Sequence, residues 1–347
     1  MVKVGVIGAT GYVGTELIRL LMKHKNVQIE AISSRTYDGQ NYDDIYENYR
    51  DVFKLKCKDM DIAEMAEKVD LIFLALPHGI ASKQLDKKIL EKVKIIDMGA
   101  DYRLSDVDNY EKWYATDHGS KDILKEAVYG LPELYREDIK KARIVANPGC
   151  YPTSSILSIY PLIREGIIDE NSLIIDAKSG ITGAGRSVNL ATHFTESNES
   201  FKAYGIASHR HTPEIEEQLS KFSDKEIVLN FTPHLVPMNR GILTTSYAKM
   251  KVEKTYKEIK DIYDKYYGDE FFVRMTKENI FPETKWVKGS NFCDIGIKID
   301  QRTNRIIVIG AIDNMIKGSA GQALQNMNII FGFDEKEGID DISIFPI

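Results

Sequence analysis

One cysteine of this chain stands in a sequence setting that would make its thiol reactive. Cys150 lies in the run 147–153, Asn-Pro-Gly-Cys-Tyr-Pro-Thr, which joins a predicted strand to a predicted helix. The positive end of a helix dipole lowers the pKa of a nearby thiol and favours the nucleophilic thiolate. Cys57, in a charged segment, and Cys293, in an alternating strand pattern, are predicted to be structural. The pattern therefore predicts that Cys150 is a nucleophile.

A thiolate nucleophile needs a partner that moves protons, and histidine is the usual one. His209 and His211 stand out because the run 208–214, Ser-His-Arg-His-Thr-Pro-Glu, also brings a guanidinium and a carboxylate ahead of a predicted helix. A His-x-His pair also suits a metal, but no third and fourth ligands cluster nearby in the sequence, so no metal is predicted. A solvated polar loop is the remaining alternative.

A glycine-rich run near the N-terminus has the composition of a phosphate-binding loop. The run 8–14, GATGYVG, follows a predicted strand over 4–7 and opens a predicted helix over 12–24. Glycines there allow a tight turn and a close approach to a pyrophosphate, whose charge faces N–H groups at the helix N-terminus. The spacing is GxxGxxG rather than GxGxxG, and a turn without ligand is the alternative. The residues predicted to bind a dinucleotide are Gly8, Thr10, Gly11, Tyr12, Val13 and Gly14.

The end of the second predicted strand indicates which dinucleotide would bind. NAD sites usually place an acidic residue there for the ribose hydroxyls. This chain has Ser33, Ser34 and Arg35 instead. Two hydroxyls and a guanidinium suit the 2′-phosphate of NADP better than they suit a diol. We predict NADP, with a merely solvated Arg35 as the alternative.

Two further runs have the composition of binding loops. Residues 179–186, SGITGAGR, offer backbone N–H groups and one guanidinium to an anion or to the nicotinamide side of a cofactor. Residues 313–322, DNMIKGSAGQ, end a strand and begin the last predicted helix, as a second phosphate-facing turn would. Plain glycine-rich connections are the alternative for both runs.

Length and composition limit the class of protein. The 347 residues predict two domains, or one large domain with insertions, and 43% hydrophobic with 28% charged residues is typical of a globular chain. A net charge of −6 argues against a nucleic-acid partner, and apolar stretches such as 71–76 are too short to span a membrane. No signal peptide is predicted at the N-terminus. Three cysteines give neither a disulfide framework nor a zinc motif, so a reducing cytoplasm is expected.

The order of predicted elements must bring these residues together. Over the first 150 residues, strands alternate with helices in the manner of parallel βαβ units, which bind ligands beyond the carboxyl ends of their strands. After a helix over 153–164, longer strand-like runs and a helix over 255–266 predict an α+β domain with a mixed or mainly antiparallel sheet. A last helix is predicted over 319–331. The predicted strands are 4–7, 27–33, 71–76, 93–98, 143–146, 173–178, 227–231, 242–252, 271–275, 292–299 and 305–312.

Seven different motifs are distributed along essentially the whole chain. They are GATGYVGTEL at 8–17, LALPHG at 74–79, DMGADYRL at 97–104, NPGCYPT at 147–153, SGITGAGR at 179–186, HRHTPEI at 209–215 and NMIKGSAGQALQNMN at 314–328. In order and spacing they resemble the N-acetyl-gamma-glutamyl-phosphate reductase family. Single motifs are shared with aspartate-semialdehyde dehydrogenase and, loosely, with phosphorylating glyceraldehyde dehydrogenases. The cysteine and histidine motifs together are much more specific.

The resemblance implies a fold in three parts. An NADP-binding α/β Rossmann domain would span 1–149, and an α+β glyceraldehyde-dehydrogenase-like domain for catalysis and oligomerisation would span 150–313. Residues 314–347 would form a C-terminal helix region that packs back on the Rossmann domain. The resemblance also implies a homo-oligomer, either a dimer or a tetramer.

The resemblance further implies an activity and its residues. Cys150 would attack a small acyl phosphate, and NADPH would reduce the resulting thioacyl enzyme to a semialdehyde in arginine biosynthesis. His209 is the implied general acid/base, and His211 is the alternative for that proton. The implied substrate contacts are Arg103, Asn147, Arg186, His211 and Glu214, and the further cofactor contacts are Pro77, His78, Ser179, Gly180 and Asn314.

Two other functions are compatible with much of this pattern. A reductase of the same fold could act on aspartyl phosphate or on a carrier-bound glutamyl or aminoadipyl phosphate, and assays on each substrate separate these. A protein that senses NADP without turnover is the alternative from a different class. The intact cysteine and histidine motifs argue against such a sensor.

Overall fold

The structure, a computed structural model, describes residues 1–346 and contains two compact units. The first unit consists of Met1–Pro148 and Ser319–Ile339, and the second consists of Gly149–Gly318 with the described residues from Asp340 onward. Within residues 1–346, no helix is both long and apolar enough to cross a membrane. Each unit is organised around its own sheet.

A parallel sheet forms the centre of the first unit. Its strands are β1 (Val2–Ile7), β2 (Val27–Ser33), β3 (Leu71–Leu74), β4 (Lys94–Asp97), β5 (Val128–Tyr129) and β6 (Ile144–Ala146). They lie in the order β2-β1-β3-β4-β6-β5, and every pair is parallel. The predicted α/β class is confirmed. The sequence pattern missed β5, because two residues carry no periodicity.

The strand order creates a switch point between β1 and β3. The chain passes from β1 to β2 on one side and then returns to β3 on the other side. Open parallel sheets bind ligands at such a point, beyond the carboxyl ends of the strands. The glycine-rich loop after β1 and the loop after β3 both begin there.

Helices and long connections cover this sheet. The helices are α1 (Tyr12–Leu21), α2 (Tyr42–Ile45), α3 (Ile62–Ala66), α4 (Ala81–Gln84), α5 (Lys87–Lys92), α6 (Val107–Tyr114), α7 (Lys121–Leu124) and α8 (Pro132–Ile139). Helix α1 buries Leu17, Ile18, Leu20 and Leu21, as its amphipathic pattern predicts. It ends at Leu21 rather than at the predicted His24.

The second unit contains a mixed sheet, which confirms the predicted α+β character. Its strands are β7 (Ile174–Gly180), β8 (Lys202–Ala203), β9 (Asn230–Val236), β10 (Ile242–Lys249), β11 (Val273–Met275), β12 (Cys293–Asp300) and β13 (Arg305–Ile312). They lie in the order β11-β12-β13-β10-β7-β9-β8, and the β7–β9 and β11–β12 pairs are parallel.

The strand predicted over 227–231 starts later than expected. The N–H groups of Ile227 and Leu229 donate to the side chains of Ser220 and Glu216 instead of to a neighbouring strand. Regular pairing of β9 with β7 begins only at Asn230. The prediction was therefore wrong by three residues at this boundary.

Four helices belong to the second unit: α9 (Cys150–Arg164), α10 (Phe194–Ser197), α11 (Thr212–Ser220) and α12 (Tyr256–Tyr267). Helix α9 is buried along most of its length and lies against β10 and β13. The Ser154 and Thr244 hydroxyls, 2.9 Å apart, form a hydrogen bond between α9 and β10. Helix α9 also contacts α12, so the sheet and α12 together fix the position of the helix that begins at Cys150.

The last helix, α13 (Gly321–Phe331), belongs to the first unit and is buried from Gly321 to Ile330. It packs against α1 and α8. The Asn328 side-chain oxygen lies 2.8 Å from Nε2 of His24, and the Asn326 amide donates to the Gly130 carbonyl at 2.9 Å. A π-helical turn over Ile316–Ala320 precedes it.

Candidate active site

Helix α9 begins at Cys150, so the thiol belongs to the first residue of the helix. Gly149 is the N-cap, and its carbonyl accepts hydrogen bonds from the N–H and the hydroxyl of Thr153, at 3.0 and 3.1 Å. The helix was predicted to begin at Thr153, three residues too late, because Pro152 was taken to lie outside the helix. Proline is tolerated in the first helical turn, where its missing N–H costs nothing. Cys150 is partly exposed and belongs to the first turn, whose N–H groups have no carbonyl partner within the helix.

Two buried contacts fix the turn that carries Cys150. The N–H of Gly149 donates to Oε1 of Glu214 at 2.8 Å, and Glu214 is fully buried on the first turn of α11. On another side, Gly318 in the π-helical turn lies so close that a Cβ there would stand 2.8 Å from Cβ of Cys150. Glycine is required at 318 because any side chain would displace the thiol. Gly318 was not among the residues predicted from the sequence.

The predicted histidine motif lies against the residue that follows Cys150. The Tyr151 ring contacts the rings of His209 and His211, with centroids 5.6 and 5.9 Å away. Tyr204 and Phe231 also pack edge-on against His209, at 5.3 and 5.5 Å. The structure therefore brings both predicted histidines into one aromatic cluster beside the start of α9.

The environment of His209 determines its protonation. Burial, with a smaller contribution from the neighbouring Arg210 guanidinium, lowers the pKa of His209 to about 4. Nδ1 of His209 accepts the backbone N–H of His211 at 3.1 Å. The neutral ring therefore carries its proton on Nε2. His211 is the N-cap of α11, and Thr212 is the first helical residue.

The predicted loop 179–186 is joined to Asn314. The Asn314 side chain accepts the N–H of Gly241 at 2.8 Å and donates to the Thr182 hydroxyl at 3.0 Å. Gly180, at the end of β7, donates its N–H to the Gly241 carbonyl at 2.9 Å. The hydroxyl of the neighbouring Ser179 is buried and donates to the Gly180 carbonyl at 3.0 Å. Three predicted cofactor contacts thus lie together.

Arg186, the last residue of this loop, is exposed. The contact of Arg186 with the phosphate or carboxylate of the substrate stays a prediction. A metal at the histidine pair was the alternative considered from the sequence. Within residues 1–346, no group of three or more histidine, cysteine or acidic side chains is arranged to hold a metal ion.

In the first unit, the glycine-rich loop turns tightly and packs closely on its neighbours. Gly8 has a φ of +80°, and a Cβ there would lie 2.2 Å from the Ala75 carbonyl oxygen. A Cβ at Gly14 would lie 2.3 Å from the Gly8 oxygen, so α1 packs directly on the loop. At Gly11 a Cβ would meet only the Gly8 oxygen at 3.5 Å, which leaves that side open. Thr10, Tyr12 and Val13 complete the loop and the first helical turn.

The end of β2 only partly matches the prediction for the 2′-phosphate. The Ser33 hydroxyl is buried and bonded to the carbonyl and N–H of Met60, at 2.8 and 3.2 Å. Its predicted contact with the 2′-phosphate stays a prediction. The Ser34 hydroxyl lies 2.7 Å from that of Thr10, and Arg35 is 85% exposed with Nε 4.0 Å from Asp59.

The loop after β3 carries the predicted Pro77 and His78. Pro77 is exposed, and the His78 ring packs on Tyr114 with centroids 5.4 Å apart. The buried carboxylate of Asp101 holds this loop by accepting the N–H groups of Gly79 and Ser82 at 2.6 and 2.9 Å. Asp101 was not among the residues predicted from the sequence, although its position as an acidic residue in the DMGADYRL motif was the available signal.

Arg103 and Asn147, predicted to bind substrate, make contacts within the first unit. Arg103 donates through Nε to the Asn147 carbonyl at 2.8 Å and through Nη2 to the Met98 carbonyl at 3.0 Å. The Asn147 amide donates to the Ser319 carbonyl at 3.1 Å and accepts from Asn326 at 3.2 Å. These bonds tie β4, β6 and the start of α13 together, which is a structural role. A substrate contact for either residue stays a prediction.

Comparisons with known proteins agree with this arrangement. Residues 3–142 match the family model described as the NAD binding domain of semialdehyde dehydrogenase, and residues 150–314 match its dimerisation domain. A protein of Lachnoclostridium phytofermentans named N-acetyl-gamma-glutamyl-phosphate reductase is 55% identical, and the match covers 100% of both chains. A protein of the same name from Campylobacter jejuni subsp. jejuni is 54% identical over 97% of this chain and 98% of its own.

A solved structure shows the same fold at low identity. Aspartate semialdehyde dehydrogenase with NADP from Candida albicans has a TM-score of 0.71 and 16% identity, over 95% of this chain and 98% of that chain. The likeness therefore covers both units.

Proposed function

The chain belongs to the N-acetyl-gamma-glutamyl-phosphate reductase family, and from this premise we propose that it reduces N-acetyl-gamma-glutamyl phosphate to the semialdehyde of N-acetylglutamate. The reductant is NADPH, the second product is phosphate, and the reaction serves arginine biosynthesis. The observation that carries the proposal is Cys150 at the first residue of α9, with Glu214 on its N-cap and His209 beside Tyr151.

The cofactor assignment fits the side chains of the first unit. The open side at Gly11 and the first turn of α1 suit the pyrophosphate, and Ser34 with Arg35 suits the 2′-phosphate. Pro77 and His78 follow β3 at the switch point. Ser179, Gly180 and Asn314 of the second unit are assigned to the nicotinamide side. When bound, NADPH supplies a hydride to the carbonyl carbon of the thioester.

Cys150 provides the nucleophile in two stages. Its thiolate forms a bond to the acyl carbon, the bond from that carbon to the phosphate oxygen breaks, and a thioacyl enzyme remains. After reduction, the hemithioacetal collapses: the carbon–sulfur bond breaks, the sulfur leaves as thiolate, and the aldehyde is released. The N–H groups at the start of α9 favour the negative sulfur in both stages.

We assign to His209 the hydrogen bond to the reacting carbonyl oxygen. Its pKa of about 4 keeps the ring neutral near pH 7, and the His211 N–H on Nδ1 leaves the proton on Nε2. The Nε2–H group can donate a hydrogen bond to the oxygen while negative charge develops on it, and the oxyanion keeps this bond until the carbon–sulfur bond breaks. His211 is the alternative for this role, and Arg103 and Arg186 are the candidates for gripping the substrate anions.

The second unit also accounts for self-association. It matches a dimerisation domain, so the chain forms homo-oligomers. Light scattering on the purified protein distinguishes a dimer from a tetramer. We assign the reaction to the cytoplasm, where a reducing environment keeps the Cys150 thiol free.

The test of the function is Cys150→Ala. Reduction of N-acetyl-gamma-glutamyl phosphate should be abolished while NADPH still binds. Iodoacetamide should label Cys150 in the wild type, and the acyl substrate should protect it. Cys57 and Cys293 are internal controls because both are buried, and burial raises the pKa of Cys57 to about 11. A variant that keeps a tenth of wild-type turnover, or a wild type that prefers aspartyl phosphate, would contradict the proposal.

A further inference from the structure

Three tyrosines outside the recognised motifs donate hydrogen bonds to the glycine-rich loop and to the first turns of α1. The Tyr46 hydroxyl donates to the Thr10 carbonyl at 2.7 Å, and the Tyr42 hydroxyl donates to the Ala9 carbonyl at 3.1 Å. The Tyr49 hydroxyl donates to the carbonyl of Thr15, in the first turns of α1, at 3.0 Å. We call Tyr42, Tyr46 and Tyr49 the tyrosine clamp.

The clamp is a packed unit rather than a set of chance contacts. The Tyr42 ring contacts Tyr46, Tyr49 and Phe53, with centroids 5.3, 5.1 and 5.4 Å away. Tyr42 is fully buried and Tyr49 is 5% exposed. Burial raises the pKa of both phenols, that of Tyr49 to about 12, so both hydroxyls keep the proton that they donate.

The bonded carbonyls lie where they control the loop. A trans peptide is rigid and points its C=O and N–H in opposite directions, so a hydroxyl that fixes the carbonyl fixes the whole peptide plane. Tyr42 and Tyr46 fix two consecutive planes, those that join Ala9 to Thr10 and Thr10 to Gly11. The Thr10 hydroxyl also bonds Ser34, so the clamp reaches the end of β2.

Glycine-rich loops need such support. Glycine has more conformational freedom than any other residue, and ordering a loop when a ligand binds reduces affinity. We propose that the tyrosine clamp pre-organises the loop 8–14 for the pyrophosphate, which makes its three members positioning residues for cofactor binding. This inference rests on the NADPH assignment in the proposed function.

The test uses Tyr46→Phe, because Tyr46 is the most accessible member and the change removes only its hydroxyl. Fluorescence titration with NADPH and with NADH should show both dissociation constants raised by the same factor, roughly two- to tenfold. The ratio between the two cofactors should stay constant, because both carry the pyrophosphate. Arg35→Ala should change that ratio, since only NADPH carries the 2′-phosphate.

Tyr256→Phe is the matched control. Its hydroxyl also donates to a backbone carbonyl, that of Thr276 at 3.3 Å, but in the second unit, and its loss should leave both dissociation constants unchanged. Tyr49→Phe repeats the measurement if Tyr46→Phe does not fold.

Two results would contradict the proposal that the tyrosine clamp pre-organises the loop 8–14. Unchanged dissociation constants with a lowered melting temperature would make the tyrosines merely structural, and weakening of NADPH alone would place their effect at the 2′-phosphate. A wild type that binds neither nucleotide would overturn the cofactor assignment itself. That failure is distinguishable because it does not depend on the variants.

Discussion

The carboxylate of Glu214 accepts the backbone N–H of Gly149 at 2.8 Å, one residue before the nucleophile. Glu214 is fully buried on the first turn of α11, while Gly149 caps α9. A hydrogen bond to a buried charged group is stronger than a neutral one, and losing it leaves a buried N–H unsatisfied. This bond therefore fixes the turn that presents Cys150, which is a different role from the substrate contact predicted from the motif.

Replacing Glu214 tests that role. Glu214→Ala should lower kcat at least tenfold with little change in KM, and should slow alkylation of Cys150 by iodoacetamide in the absence of substrate. Glu214→Gln keeps an oxygen acceptor and should retain much of both rates. If KM rises strongly while alkylation stays at the wild-type rate, Glu214 contacts the substrate instead.

The close approach of Gly318 to Cys150 gives a second prediction. A Cβ at 318 would lie 2.8 Å from Cβ and 3.2 Å from Cα of Cys150, closer than atoms in a folded protein tolerate. Gly318→Ala should therefore shift the thiol and lower turnover by one to two orders of magnitude, at about 1.4 kcal/mol per decade. NADPH affinity, measured by fluorescence titration, should be retained. Wild-type turnover in this variant would show that the turn relaxes without moving the sulfur.

The sequence predicted the parts of the site that are local in the chain. Alternating strands and helices gave the α/β class, and the Pro-Gly-Cys run between a strand and a helix indicated Cys150. Contacts between distant residues were not predictable: Glu214 bonds a residue 65 positions away, and Gly318 faces Cys150 only after the chain has folded. The bond from the Ser33 hydroxyl to the Met60 carbonyl is of the same kind, since only the fold brings these two residues together.

The spacing of the three tyrosines of the clamp is visible in the sequence, but it does not distinguish core packing from contacts with the glycine-rich loop. Tyr42, Tyr46 and Tyr49 follow the i, i+4, i+7 spacing of one helical face, which ordinarily indicates core packing. The element is in fact a short helix followed by a 3₁₀ turn. Their hydroxyl bonds to the loop after β1 could not be read from that spacing.

The surroundings of His209 predict a particular pH dependence. His209→Asn should lower turnover by roughly 10²–10⁴-fold, the usual contribution of general acid–base catalysis, with NADPH affinity little changed. Because burial lowers the pKa of His209 to about 4, its titration should not produce an acid limb near pH 6.5 in the wild-type profile. An acid limb near 6.5 that disappears in His209→Asn would contradict the neutral ring. A large loss in His211→Asn alone would assign the proton to His211.

The same pKa shift affects stability. In the unfolded chain a histidine titrates near pH 6.5, whereas folded His209 titrates near 4. As the pH falls from 6.5 towards 4, the unfolded state binds the proton first, so the free energy of unfolding decreases. Urea unfolding at pH 7 and pH 5 should show a smaller loss of stability in His209→Asn than in the wild type. An equal loss in both proteins would show that His209 does not carry this dependence.

Arg35 supplies the last prediction, because it is the positively charged side chain at the end of β2. Its side chain is 85% exposed, and its contact with Asp59, 4.0 Å away, is too long and too solvated to hold it. A 2′-phosphate would offer Arg35 a charge-assisted hydrogen bond, which contributes on the order of 1.5–3 kcal/mol. Losing it corresponds to an affinity loss of about 10- to 150-fold.

Arg35→Ala should therefore weaken NADPH binding by that factor and leave NADH binding nearly unchanged, as measured by fluorescence titration of both nucleotides. Arg50→Ala is a suitable control, because Arg50 is an exposed arginine of the same unit that pairs with Glu47. Raising the salt concentration should narrow the difference between wild type and Arg35→Ala, since exposed charges are screened. If Arg35→Ala weakens both nucleotides equally, or if the wild type prefers NADH, the selectivity for the phosphate must come from Ser34 and Thr10 or be absent.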